Sequence, residues 1–359
     1  MIAALVFFLA MQTPDFDSVA RQAAEVRDAS RTDEAIELYR RALELRPGWK
    51  EGLWFLGSLE YDRERFPEAR DVMRRFVASE PDAGPGFVLL GMSEFQTREY
   101  ARALTHLQRG LAQGLGGREE MTRSAWYLTA VLLTRFERFD ESMEVLLSPR
   151  FRERRDARVM EALGAAALRM PLLPAEIPAA RREMFSIAGE AASAFAARDD
   201  VKAATLLRQL VEQYPDEPGI HLLYGDLLMK SRPEEGIEQM RRELEVAPDN
   251  IHARIQIASE YVREDKSENA LPFARQAVAL APGASDAHLV LGQALVGSGD
   301  LAAGIRELEA ARDAAPKDSR VRWALARAYF AAGRKADGDR EAAEMERLKS
   351  AERKSEGSR

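Results

Sequence analysis

Chemistry in a polypeptide needs nucleophiles, acid–base groups or metal ligands gathered in one place, and this sequence offers few of them. The chain has no cysteine and four histidines, His106, His221, His252 and His288. Without a thiol there can be no disulfide framework, thiolate zinc site, cysteine nucleophile or cysteine-held iron–sulfur cluster. A helical metal site needs histidines three or four residues apart, so that both rings share a face. These four are widely separated, and each is expected to be a packed or solvated imidazole. The sequence also lacks a phosphate loop ending in Lys-Ser or Lys-Thr, an HExxH zinc motif, a calcium loop and a G-x-S-x-G elbow. Acidic residues number 59, but carboxylates on solvated helices meet by chance and need a desolvating cleft to act as acids or bases. No metal and no cofactor is expected, and the chain reads as non-catalytic.

The elements that carry these residues follow from composition and period. Charged residues make up 31% and apolar ones 46% of the 359 residues, which gives helices one wet and one dry face and too much apolar material for a disordered chain. The formal net charge of −7 is wrong for a protein whose affinity comes from neutralising phosphates, so nucleic acid is not an expected partner.

Prolines disclose an internal period. Pro47 and Pro81 are 34 residues apart, as are Pro248 and Pro282, and Pro282 and Pro316; Pro215 precedes Pro248 by 33. From Ser285 onward, Leu291-Gly292, Leu295, Gly304, Leu308, Ala311 and Pro316 follow in register. One period earlier stand Ile257-Ala258, Tyr261, Ala270, Ala274, Ala277 and Pro282. Leu56-Gly57, Ala69, Met73 and Pro81, then Leu90-Gly91, Ala103 and Leu107, mark two units in the first half. A helix of about a dozen residues is marginal alone and must bury its apolar stripe on a neighbour. Small residues at the eighth, twentieth and twenty-seventh positions let two helix backbones approach, and a leucine at Ala270 is expected to overpack. Each closing proline ends a second helix, and Asp82, Asp216, Asp249-Asn250 and Asp318-Ser319 are placed to cap the next first helix.

Period and signature together resemble the tetratricopeptide repeat (TPR) family. The resemblance implies an all-α fold, an alpha-alpha superhelix of antiparallel helix pairs, in about nine units from residue 16 to 349. It divides the chain into an array of about four repeats over 16–149, a degenerate repeat over 150–183, and an array of about five repeats over 184–349. The break carries Pro171, Pro174 and Pro178, a density that no regular helix survives. Arg150, Arg152, Arg154, Arg155 and Arg158 against Glu153 and Asp156 leave a local excess of three positive charges, read either as a solvated helix start or as a dock for an acidic partner.

In such proteins the first helices line a concave groove. Carried onto this register, the resemblance offers Trp54, Tyr127, Leu222, Ile255, Leu289 and Trp323 at the fifth position and Tyr61, Phe95 and Phe195 at the twelfth. Asp226, Gln293 and Arg327 at the ninth, with Lys230 and Arg263 at the thirteenth, are the candidates for polar specificity. The groove reading and a reading of the aromatics as inter-repeat core stand side by side. The family's carboxylate clamp, a lysine at the fifth position with an asparagine at the ninth, has no counterpart here. The implied partner is a protein or peptide.

Ile2 to Met11 is the one long apolar run, too short to span a membrane as a helix. Residues 1–12 read as an export signal, although no Lys or Arg precedes the run; the other reading is an apolar first helix capping the stack. An envelope or periplasmic scaffold and a cytoplasmic adaptor are the corresponding expectations. The charged residues 350–359 are expected to be disordered.

Overall fold

The computed structural model describes residues 15–152 and 156–356. Among them every regular element is a helix, and the chain divides into two compact units, Met1–Ala166 with Met170–Pro178 and Ala167–Arg169 with Ala179–Arg359. In the first unit α1 (Phe16–Asp28) pairs with α2 (Thr32–Leu45), α3 (Lys50–Asp62) with α4 (Phe66–Ser79), α5 (Gly84–Gln96) with α6 (Tyr100–Gln113), and α7 (Glu119–Arg135) with α8 (Phe139–Leu147). The short α9 (Pro149–Arg152) and α10 (Ala157–Ala167) follow. In the second unit α11 (Arg182–Ala196) pairs with α12 (Asp200–Gln213), α13 (Ile220–Leu228) with α14 (Pro233–Val246), α15 (Ile251–Arg263) with α16 (Ser267–Leu280), α17 (Ser285–Gly297) with α18 (Leu301–Ala314), and α19 (Ser319–Ala331) with α20 (Lys335–Glu356). Each unit is thus a stack of antiparallel helix pairs.

The closing prolines act through the residue before them. α2, α4, α12, α14, α16 and α18 all stop two residues ahead of Pro47, Pro81, Pro215, Pro248, Pro282 and Pro316. The intervening Arg46, Glu80, Tyr214, Ala247, Ala281 and Ala315 have ψ between 54° and 84°, outside the helical well. Proline Cδ crowds the preceding residue out of the α region, so the helix ends one step early.

Inside eight of the nine pairs the turn is also built one way, the exception being α13–α14, whose turn holds no left-handed residue. Ser30, Glu64, Arg98, Glu137, Arg198, Asp265, Gly299 and Gly333 have φ between 58° and 95°. The residue after each donates its N–H to a carbonyl five positions back: Arg65 to Glu60, Glu99 to Glu94, Lys266 to Tyr261 and Asp300 to Leu295, at 2.8 to 2.9 Å. That is the Schellman arrangement, which satisfies the last free carbonyls of a helix and needs one left-handed residue.

Start signals are mixed. Asn250 accepts from the Ala253 N–H at 3.0 Å and Asp318 from that of Arg320 at 2.8 Å, and Asp199 and Asp300 cap α12 and α18 in the same way. Asp82 and Asp216 make no such bond, contrary to expectation: the cap positions of α5 and α13 fall on Ala83 and Gly219, which have no capping side-chain oxygen. α13 is capped instead from α14. Both Glu243 carboxylate oxygens accept from the Gly219 N–H at 2.9 and 3.0 Å, and one accepts from Leu222 N–H at 3.3 Å.

Close packing explains the small positions. A Cβ on Gly292 would stand 2.6 Å from Leu308 Cγ, and one on Gly304 would stand 2.9 Å from the Gly292 carbonyl oxygen. Ala270, Ala274 and Ala277 are fully buried, with Leu271 and Leu291 packed beside them. Pro171, Pro174 and Pro178 fall between α10 and α11, where the backbone makes only two single 3₁₀ turns.

α20 continues through residues 350–356 of the segment expected to be disordered; residues 357–359, like 1–14 with the apolar run, lie outside the described residues. From Arg340 onward α20 carries neither glycine nor proline up to Glu356, and Leu348 is still buried. Strong helix formers, with Glu344 and Arg347 paired at three residues' spacing, let it run on.

Candidate functional site

Within each unit successive first helices touch one another, α3 with α5 and α5 with α7, α15 with α17 and α17 with α19, so they form a layer of their own. A pocket opens on that layer in both units.

In the first unit the pocket measures about 460 Å³ and is walled by Tyr61 of α3, Met92 and Gln96 of α5, Arg123, Tyr127 and Leu128 of α7, and Arg158 of α10. The Tyr61 hydroxyl is tied to the Gln96 side chain, while burial pushes the phenol above its ordinary pKa. Tyr61 and Tyr127, offered by register alone, are therefore brought together. Trp54 and Phe95 are not: Trp54 packs on Phe76 at 5.7 Å and Phe95 on Tyr100 at 5.6 Å, half-buried against the core. Of the arginine run, Arg150 lies over Trp126, 4.6 Å from the ring centre. The Arg152 side chain and Glu153, Arg154 and Arg155 lie outside the described residues.

In the second unit a pocket of about 540 Å³ gathers Ser259 and Arg263 of α15, Gln293 and Val296 of α17, and Trp323 and Arg327 of α19. Four candidates named from spacing thus meet here: Arg263, Gln293, Trp323 and Arg327. Arg263 makes two hydrogen bonds to the buried Glu260 carboxylate on its own helix. The Arg327 guanidinium lies over the Trp323 ring at 4.6 Å, and Trp323 is 45% exposed.

Elsewhere in that unit the reading needs correction. Leu222 and Leu289 are 1% and 8% exposed and belong to the core, not to a groove. Each belongs to a core cluster with its own second helix and the next first helix, Leu222 with Ile237 and Met240 of α14 and Ala253 and Ile257 of α15, and Leu289 with Ile305 and Leu308 of α18 and Val321 and Leu325 of α19. Ile255 is half-buried against the same kind of packing. Asp226 accepts from Gln256 at 3.3 Å and sits 3.7 Å from His252, and the Lys230 ammonium caps the Phe195 ring at 4.1 Å.

The histidines hydrogen-bond within each unit, at the joints of neighbouring helix pairs. His221 and His288 stand six residues after Pro215 and Pro282 and bond their carbonyls at 3.1 and 2.9 Å, while their other ring nitrogens meet Gln239 and Glu307 at 2.7 Å. Arg322 does the same for Pro316. His106 meets the buried Glu94 carboxylate at 2.6 Å. These joints are not marked by catalytic spacings, and a second set beside them recurs at a 20-residue offset. Arg40 to Glu60, Arg74 to Glu94, Arg241 to Tyr261 and Glu309 to Tyr329 each link a second helix to the next first helix. Burial together with Glu309 pushes the Tyr329 phenol up to about 12. Among the described residues no three His, Asp or Glu side chains are grouped to hold a metal ion, and no helix is long and apolar enough to cross a membrane.

Stacked helix pairs with pockets on the first-helix layer define an α-helical repeat protein. Tetratricopeptide repeat models match residues 21–86 and 88–148, 190–217, and 261–322 and 295–345; the chain belongs to the tetratricopeptide repeat family. Cellulose synthase operon protein C of Xanthomonas axonopodis pv. citri (strain 306) is 28% identical over 288 residues, which take in 78% of this chain and 18% of that protein. The chain therefore spans less than a fifth of that relative's length. Among solved structures, the MamA RS-1 ArsTM double mutant is 17% identical with a TM-score of 0.43, over 46% of this chain and 94% of its own. MamA residues 41 to the end from Desulfovibrio magneticus RS-1 are 20% identical with a TM-score of 0.40, over 47% and 94%.

Proposed function

We propose that this chain is a non-catalytic protein-interaction scaffold that holds an extended or helical segment of another polypeptide against the first helices of its units. The observation that supports this most is the pair of open pockets on those helices, each containing residues that family register alone selected: Tyr61 and Tyr127 in one, Trp323 and Arg327 in the other. Half-exposed aromatics beside a guanidinium are the side chains that dominate polypeptide binding energies. Because one relative is by name a cellulose synthase operon product, other products of such an operon are the first partners to test.

The test compares partners captured on the immobilised chain with those captured on Tyr61→Ala/Tyr127→Ala, with thermal melts to confirm folding. Loss of a specific partner on the folded variant is the expected result; equal capture by both removes the first pocket from the proposal. We also place the protein in the cell envelope, which the apolar run at residues 2–11 supports. N-terminal sequencing of the native protein should then begin after about residue 12, and an intact start would assign it to the cytoplasm.

A further inference from the structure

The second unit's pocket is lined by one carboxylate, Asp265, which pairs with neither arginine of the pocket among the described residues. Those two arginines are in different states. Arg263 is ion-paired, with two hydrogen bonds to Glu260. Arg327, exposed on the middle of α19, pairs with no carboxylate among the described residues and is held only by the face of Trp323. A guanidinium stacked on an indole keeps its in-plane N–H donors free, because the stacking uses the face of the cation and not its edge. Trp323, 45% exposed, offers the rest of its ring as apolar surface, and Val262, Val296 and Ala324 line the pocket beside it. Trp323 stands out where Leu289 sinks, because α20 follows α19 and among the described residues no further first helix covers it.

We propose that this pocket binds a single acidic side chain, Asp or Glu, next to an apolar residue within an internal segment of a partner polypeptide. Arg327 takes the carboxylate and Trp323 with Val296 takes the apolar neighbour. One free guanidinium matches one carboxylate. The chain-end carboxylate is the poorer fit, since the second arginine that could help hold it is already neutralised by Glu260. This inference rests on the scaffold reading and narrows it to one pocket and one chemistry.

The test selects peptides from a random dodecamer library, displayed internally and, separately, with a free C-terminus, on the full chain and on Arg327→Gln. Residue 327 is exposed, so the variant is expected to melt like the parent. The expected result is internal enrichment of Asp or Glu beside an apolar residue, with affinity falling roughly tenfold or more on Arg327→Gln, the scale of a charge-assisted hydrogen bond. Arg327→Lys should restore part of it. Peptides without acidic enrichment, peptides that bind Arg327→Gln equally well, or enrichment only at free C-termini would overturn the proposal while leaving the scaffold reading intact. No enrichment on either chain overturns both.

Discussion

The two units share a repeat length and bury charge differently. The first unit hides Glu60 and Glu94, each reached by an arginine from the preceding second helix, Arg40 at 2.5 Å and Arg74 at 3.4 Å. The second unit also hides arginine-paired carboxylates, Glu260 with Arg263 and Glu341 with Arg322 at 2.6 Å, but it adds Glu243, which turns instead to backbone N–H groups and to Asn250 at 2.9 Å. The turns differ as well: the first unit places Ser30, Glu64, Arg98 and Glu137 in the left-handed position, while the second ends with Gly299 and Gly333 there. A 34-residue register dictates which positions are small, large or left-handed, because those follow from backbone approach. The chemistry of the joints and pockets is left to each unit.

The largest effect is expected where the register acts on backbone directly. Gly304→Leu drives a side chain against the Gly292 carbonyl and the Val296 backbone N–H, at 2.9 and 3.0 Å from a Cβ. Neither can move without separating α17 from α18, so the variant should lose about 3 kcal/mol or more, measured by denaturant titration. The corresponding first-unit positions already hold a methyl at Ala69 and Ala103, both fully buried. A loss below about 1 kcal/mol would show that the second unit's pairs are not locked by contact.

The buried carboxylates provide a finer contrast. Burial pushes Glu243 above the usual carboxylate value of 4.5, while the Gly219 and Leu222 N–H groups and Asn250 pull the other way. A folded-state pKa above the unfolded one means that the contribution is complete below about 4.5 and lost as pH rises through the raised value. Glu243→Gln cannot ionise and also loses part of the α13 cap, at a cost of about 1 to 2 kcal/mol in mild acid. The stability gap between the parent and this variant should therefore narrow from pH 4 to pH 7 in paired thermal melts. A gap that widens would mean that the N–H donors hold the carboxylate ionised.

How much of this was legible depends on whether the cause is local. Helix pairs, their spacing and the meeting of Arg263, Gln293, Trp323 and Arg327 follow from one period, because positions 34 apart on stacked units fall side by side. Leu222 and Leu289 could not be told from groove residues, since their burial is completed by side chains of the two helices that follow each. The α13 cap was equally hidden: Asp216 looks like the cap from sequence, and Glu243, more than twenty residues further on, supplies it.

The left-handed turns carry the smallest prediction and the cleanest one. A Cβ on Gly299 would meet nothing within 4 Å, so Gly299→Ala adds no clash and tests the backbone alone. Its φ of 95° is unfavourable for an L residue, and alanine also narrows the unfolded ensemble, which partly offsets the strain; the net loss should be about 1 kcal/mol. Glu64, exposed at φ 59°, is the mirror case in the first unit. There Glu64→Gly relieves the strain and loosens the unfolded chain, so stability should rise by less than about 1 kcal/mol or stay level. If both substitutions destabilise equally, the Schellman turns of the first unit are held by side-chain contacts and not by φ, and the likeness between the two sets of turns is one of shape only.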